Sequence, residues 1–207
     1  MTAALTLYYG RGTCAQAVLI ALYEAQAEFD LKIINMAEGE QRTPEFLALN
    51  PKGRVPALRT PEGVLSEVPA LLLYVAQTHE KAQLAPLGNA FALAHMQELN
   101  MYLASTVHVN HAHNKRGNRW ADDEAAQASM RAKVAANMRD CFDLIEQHYL
   151  SDKPWVLGDQ YSVADGYLFT VASWLESDGV DIKQFPRVYA HTERMLQREA
   201  VQKALQQ

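Results

Sequence analysis

"NPKGRVPALRTPEGVLSEVPALLLY", residues 50–74, is the stretch that decides the fold. It holds a glycine-bearing turn, two strand-like runs ("VPALRT" and "GVLS") around the turn residues "PEG" (61–63), and a run "PALLLYVAQ" (69–77) that reads as a helix. Pro56 stands near the start of the first run. Proline removes a ladder donor, so it belongs at the first residue or edge of a strand, where the neighbouring backbone is free to pair with something else. An extended peptide can add itself there by main-chain hydrogen bonds. Ser66, Glu67 and Val68 fall at a strand-to-helix junction that presents N–H groups to an anion, while Glu67 can receive an ammonium. Such a junction suits the zwitterionic end of an amino acid; simple capping by Ser66 or Glu67 is the plainer reading of the same residues.

Upstream, "LTLYY" (5–9) is strand-like, and 14–26 places Ala15, Val18, Leu19, Leu22 and Tyr23 at a helical period. "FDLKII" (29–34) reads as a second strand, and "TPEFLALN" (43–50) as a short helix with Thr43 as cap and Pro44 in its first position. Strand, helix, strand, short helix, strand, strand, helix predicts a small α/β layer over residues 1–80. Downstream of Pro86 the strand signals stop. Residues 90–114 place Phe91, Met96, Leu99, Leu103 and Val107 on one stripe, and 122–150 do the same with Met130, Val134, Met138, Cys141, Phe142, Ile145 and Tyr149. Another helix starts at "SVAD" (162–165), where Ser162 and Asp165 have capping-box spacing, and one more follows Pro186. The composition shift in "KAQLAPLG" (81–88) marks a linker over 81–87, followed by an all-helical domain over 88–207.

With 207 residues the chain can bury a core without staples, and its 49% hydrophobic and 21% charged residues are ordinary for a soluble protein. No apolar run approaches the roughly 18 residues that span a bilayer. "MTAALTLYYG" lacks the basic flank and apolar stretch of a secretory signal, so a cytoplasmic location is expected. The two cysteines, over a hundred positions apart, make neither a disulfide framework nor a zinc pattern and are expected to be free thiols. A net charge of −5 argues against a generic nucleic-acid binder.

Cys14 sits just after the "GRG" turn, at the expected first turn of a helix. Unpaired N–H groups and the helix dipole there favour a thiolate and a lowered pKa. The same residue also suits core packing, and local physics leaves both readings open. Cys141, on a core stripe, reads as packing. "TVHVNHAHNKRGNRW" (106–120) is the most unusual stretch. His108 falls on a helical face with Met101 and Ser105, and Arg116, Arg119 and Trp120 end the helix where they can close over an acidic or aromatic compound. A solvated basic helix end is the competing reading. His111 and His113, two apart, share a helical face poorly, and no complementary zinc ligands accompany them, so no metal site is expected.

Taken together, "EFLALNPKGRVPAL" (45–58), the "SEV" junction and "LGDQYSVADGYLF" (157–169) resemble the cytosolic glutathione transferases along essentially the whole chain. "LYYGRGTCAQAVLIAL" (7–22) is similar to the start of the bacterial beta class, and "GEQRTPEFLALNP" (39–51) also to nu-class and theta-like members. The resemblance implies a thioredoxin-like glutathione-binding domain, a helical domain forming the electrophile site, a homodimer, and a role in detoxification. It implies that Cys14 lies beside the glutathione sulfur, with the Thr13 hydroxyl a second group for a bound thiolate. It implies that Val55, ahead of a cis Pro56, pairs its backbone with the cysteinyl part. Glu67 is implied for the γ-glutamyl amino group and the Val68 N–H for the γ-glutamyl carboxylate, with Val68 standing where many members have serine. Lys52 and Arg42 are implied as the cations near the glycyl carboxylate, and His108 matches a histidine lining the active cleft; Arg116, Arg119 and Trp120, read from their own chemistry, are the candidates for contacting the electrophile.

The expected activity is conjugation of glutathione, held as thiolate, to a small electrophile, with no metal. Two alternatives accompany it: disulfide reduction or thiol transfer through an exposed, low-pKa Cys14, and a non-catalytic member that only binds glutathione or another ligand, which Val68 keeps open.

Overall fold

The computed structural model describes residues 5–207; residues 1–4, part of the N-terminal stretch that lacks a secretory flank, lie outside the described residues. Strands β1 (Leu5–Tyr9), β2 (Phe29–Ile33), β3 (Ala57–Thr60) and β4 (Gly63–Ser66) form one sheet in the order β2-β1-β3-β4. All five residues of β1 are buried, as a strand flanked on both edges and covered on both faces must be. β1 and β2 run parallel, with Leu7 opposite Leu31, so the chain needs a crossover between them, and α1 (Ala15–Glu24) supplies it. β3 returns antiparallel to β1, with Leu7 opposite Leu58, and the hairpin to β4 closes over Pro61 and Glu62.

β3 starts at Ala57, two residues later than the run "VPALRT" suggests, because Pro56 has no N–H for the ladder. The Val55–Pro56 bond is cis. Helix α2 (Pro44–Leu49) is capped as its sequence predicts: Thr43 Oγ1 accepts the Phe46 N–H at 3.3 Å. Helix α3 (Val68–Thr78) follows β4 directly.

From Ala90 to Leu205 the main elements are helices. Helices α4 (Ala90–Tyr102) and α5 (His108–Lys115) are joined without a break by a π-helical turn over Leu103–Val107. Met96, Leu99, Leu103 and Val107 are fully buried, but Phe91 is 83% exposed and leaves the expected core stripe. The π turn adds a residue and so rotates α5 relative to α4. It breaks the expected common face of Met101, Ser105 and His108: the first two are exposed, while His108 turns inward.

α6 (Glu124–His148) buries Val134, Met138, Cys141, Phe142 and Ile145. α7 (Val163–Ala172) is buried along its whole length, and α8 (Pro186–Leu196) and α9 (Glu199–Leu205) complete the bundle. Asp165, with no exposed surface, accepts the Ser162 N–H at 2.8 Å, the Val156 N–H at 2.9 Å and a bond from His191 Nε2 at 3.0 Å. A buried carboxylate is tolerable only when so fully partnered. The Val163 N–H reaches back to the Leu84 carbonyl at 2.9 Å, pinning the expected linker to the start of α7. α1, buried from Ala15 to Leu22, packs between the sheet and α7 and α9, and Arg198 Nη2 holds Glu24 Oε2 at 2.8 Å.

Candidate functional site

One cleft opens between the ends of β1 and β3, the start of α3, and the α4–α5 helix. All twelve site residues expected from the sequence line it: Thr13, Cys14, Arg42, Lys52, Val55, Pro56, Glu67, Val68, His108, Arg116, Arg119 and Trp120. Its floor depends on a close backbone approach at Gly10, where a Cβ would lie 2.9 Å from Met36 Cγ and 3.0 Å from Val55 Cγ2. A side chain there would force the Met36, Val55 and Thr13 side chains to shift.

Local structure at that helix start favours the packing reading of the Cys14 thiol over the activated one. The Thr13 hydroxyl accepts the Ala15 N–H at 3.2 Å, the Thr13 carbonyl accepts the Gln16 N–H at 3.1 Å, and the Cys14 carbonyl accepts the Ala17 N–H at 3.2 Å. These donors are therefore spent, and the Cys14 N–H is the one without a partner among the described residues. The thiol is buried, 7% exposed, with Sγ donating to the Val55 carbonyl at 3.8 Å. Burial pushes its pKa up to about 12, against the opposing field of Arg116. The Thr13 hydroxyl is also engaged locally. A hydroxyl has one proton to give, and Thr13 gives it to the Gly10 carbonyl at 2.7 Å.

The loop before Pro56 is organised by Asn50, itself buried, whose Nδ2 donates to the Arg54 carbonyl at 2.7 Å. Gly53 adopts φ +58°, and a Cβ there would lie 2.8 Å from Arg42 Nη1, so glycine lets the Arg42 guanidinium lie across the turn. Lys52 Nζ sits 2.7 Å from Glu67 Oε1 and 2.9 Å from Ser66 Oγ. Lys52 thus belongs to the Glu67 end of the cleft, leaving Arg42 and Arg54 at the loop. Glu67 itself has φ +75° and ψ 120°, a sparsely populated conformation for a residue with a side chain. Its unusual backbone sets the Val68 N–H at the first position of α3, ahead of Pro69, which has none to offer.

The helical wall carries a different chemistry. Burial, reinforced by Arg116, lowers the His108 pKa to about 3, so the ring is neutral and its Nε2 takes the Arg116 Nη2 donor at 3.4 Å. Burial also lowers the Arg116 pKa, and the guanidinium has no carboxylate partner among the described residues. Trp120 meets His113 edge-on at 4.4 Å. The lining contains five cations, Arg42, Lys52, Arg54, Arg116 and Arg119, against the single carboxylate of Glu67, so it is built for a ligand with net negative charge.

Sequence reasoning missed four further lining residues or gave them no role: Arg54, His111, Tyr167 and Trp174. Arg54 lies inside the quoted loop, where its charge is a usable signal beside Lys52. Tyr167 and Trp174 lie in a predominantly apolar helical stretch, where an aromatic side chain reads as core packing and carries no such signal. Burial raises the pKa of Tyr167. Among the described residues, no three His, Cys, Asp or Glu side chains gather as a metal site.

The model of the glutathione S-transferase N-terminal domain matches residues 3–77, and that of the C-terminal domain matches residues 98–199. The chain is 29% identical over 202 residues to glutathione S-transferase GstA of Escherichia coli O157:H7, with 96% of each chain covered. Among solved structures, it is similar to a glutathione transferase homologue from Sulfitobacter with bound glutathione, at 43% identity and a TM-score of 0.94, covering 98% of this chain and 97% of that one. It is also similar to the bacterial beta-class enzyme of Sphingomonas chungbukensis, at 30% identity and a TM-score of 0.84, covering 97% of each.

Proposed function

This chain belongs to the glutathione S-transferase family, and on that premise we propose that it binds glutathione as thiolate in the cleft and joins it to a small electrophile. The observation that carries the proposal is the convergence of a free backbone edge at Val55–Pro56, an acid and helix start at Glu67–Val68, and the open N–H of Cys14 on one strongly cationic cleft. Glutathione is a peptide with two carboxylates and one ammonium, and these groups answer it in order. Val55 pairs with the cysteinyl backbone, Glu67 takes the ammonium, the Val68 N–H takes the γ-glutamyl carboxylate, and Arg42 or Arg54 takes the glycyl carboxylate. The sulfur then rests at the start of α1, where the Cys14 N–H and the field of Arg116 favour its ionised form. His108 anchors Arg116 as a neutral acceptor, and Arg116, Arg119 and Trp120 face the electrophile.

In this reading residues 1–80 bind glutathione, 81–87 link, and 88–207 shape the electrophile site. The thiol-transfer alternative requires Cys14 exposed and acidic; it is buried, with a raised pKa. The assembly is a homodimer, for which exposed Phe91 and Met101 on α4 supply apolar surface. The two buried, unbridged cysteines support a cytoplasmic setting. Thermal shift and calorimetry with glutathione, beside an analogue lacking the thiol, test the proposal. Saturable stabilisation by glutathione with turnover of an aryl chloride is expected, and absence of any shift at millimolar glutathione contradicts it.

A further inference from the structure

Behind the helical wall lies a pair that the glutathione site does not use. Asp178 has a fully buried side chain, and its Oδ2 lies 2.8 Å from His111 Nδ1. Its Oδ1 takes the Asn114 Nδ2 donor at 2.9 Å, so both oxygens are engaged and the carboxylate cannot turn. A carboxylate only accepts, which fixes the His111 proton on Nδ1 and leaves Nε2 as the free nitrogen. The ring is clamped from the side by Trp174, stacked at 4.4 Å and 22°. His111 lines the cleft with its side chain 20% exposed, and its Nε2 has no hydrogen-bond partner among the described residues. A buried carboxylate orienting a cleft-lining imidazole whose other nitrogen has no hydrogen-bond partner among the described residues is an arrangement suited to proton transfer. The neighbouring His108 cannot share that task, since its Nε2 is occupied by Arg116.

We infer that His111 is the proton donor for addition of glutathione to activated alkenes conjugated to a carbonyl, with Asp178 as its positioning residue. The inference rests on the glutathione reading above and names the electrophile class. In the step, the glutathione thiol yields its proton to water, and the thiolate pair forms the S–C bond at the β-carbon. The C=C π pair moves to the α-carbon, stabilised as enolate, and His111 Nε2, protonated from water, delivers one proton there. Nothing leaves and no other reagent is consumed. Displacement of chloride from an aryl ring needs no returned proton, so the two reactions separate the role of His111 from general damage to the cleft.

The test compares wild type, His111→Gln, Asp178→Asn and the double variant, using ethacrynic acid for addition and chlorodinitrobenzene for substitution, with glutathione affinity measured by calorimetry. The ratio of addition to substitution rates is expected to fall at least ~tenfold in each single variant. The double variant should fall no further, because Asp178 acts through His111. An unchanged ratio in His111→Gln with glutathione binding intact overturns this inference alone. Failure of wild type to bind glutathione overturns the glutathione reading and this inference with it.

Discussion

Cys14, at the start of α1, places its Sγ 3.8 Å from the carbonyl oxygen of Val55. The relationship inverts the simplest reading of a cysteine at a helix N-terminus. Ionising the thiol would forfeit its bond to Val55 and place a charge in a buried site, so the thiol stays protonated.

Cys14 is therefore expected to resist thiol reagents in the native protein at neutral pH, and Cys14→Ala to retain conjugation within a few-fold; rapid native labelling by a chromogenic disulfide would contradict this. The raised pKa also has a stability consequence. Between its ordinary 9.0 and about 12 the unfolded thiol has lost its proton while the folded one keeps it. Its contribution is complete below pH 9.0 and is lost as the pH rises toward 12. Denaturant titrations of wild type and Cys14→Ala across that range should show a shallower alkaline decline in the variant.

Lys52 and Glu67, 2.7 Å apart, are 50% and 63% exposed at their side chains, so their pairing is worth less than about 1 kcal/mol to the fold. Glu67→Gln should leave the melting temperature nearly unmoved while raising KM for glutathione by roughly tenfold, the effect of losing one charge-assisted bond to the ammonium. A matched loss of stability with no change in KM would remove Glu67 from the binding site.

His108 supplies a prediction on the acid side. Its pKa falls from 6.5 to about 3 on folding, so below pH 6.5 the unfolded state binds a proton that the folded state refuses. Stability is lost as the pH drops from 6.5 toward 3, and His108→Gln, which keeps an acceptor for Arg116 without a titratable ring, should flatten that decline in denaturant titrations.

Asp165 carries the largest structural load far from the chemistry. Asp165→Ala strands the Ser162 and Val156 N–H groups and His191 in a dry interior, and the expected loss is about 3 kcal/mol or more. Denaturant midpoints measure it, and glutathione affinity of the remaining folded protein should be unchanged.

How far the sequence reaches depends on the kind of signal each feature leaves. Alternation, caps and turn residues are local, so Thr43, Pro44, the Pro61–Glu62 hairpin and the Ser162–Asp165 junction are legible, as is the change from sheet to helices near residue 86. The π turn at Leu103–Val107 leaves no such mark, and it alone decides that His108 and not Met101 faces inward. Cys14 misleads because its activation depends on whether neighbouring N–H groups are free, and Thr13 has already taken one of them. The partnership of His111 with Asp178 joins residues 67 positions apart and exists only once the helices pack.

That this cleft holds glutathione as thiolate without help from the thiol of Cys14 is tested most directly by titrating the ultraviolet thiolate absorbance of bound glutathione, in wild type and in Cys14→Ala. Saturable binding is predicted in both, with the bound thiol ionising at least one pH unit below free glutathione, on the order of 1.4 kcal/mol of thiolate stabilisation. An unshifted thiol in wild type, or a shift abolished by Cys14→Ala, would contradict it.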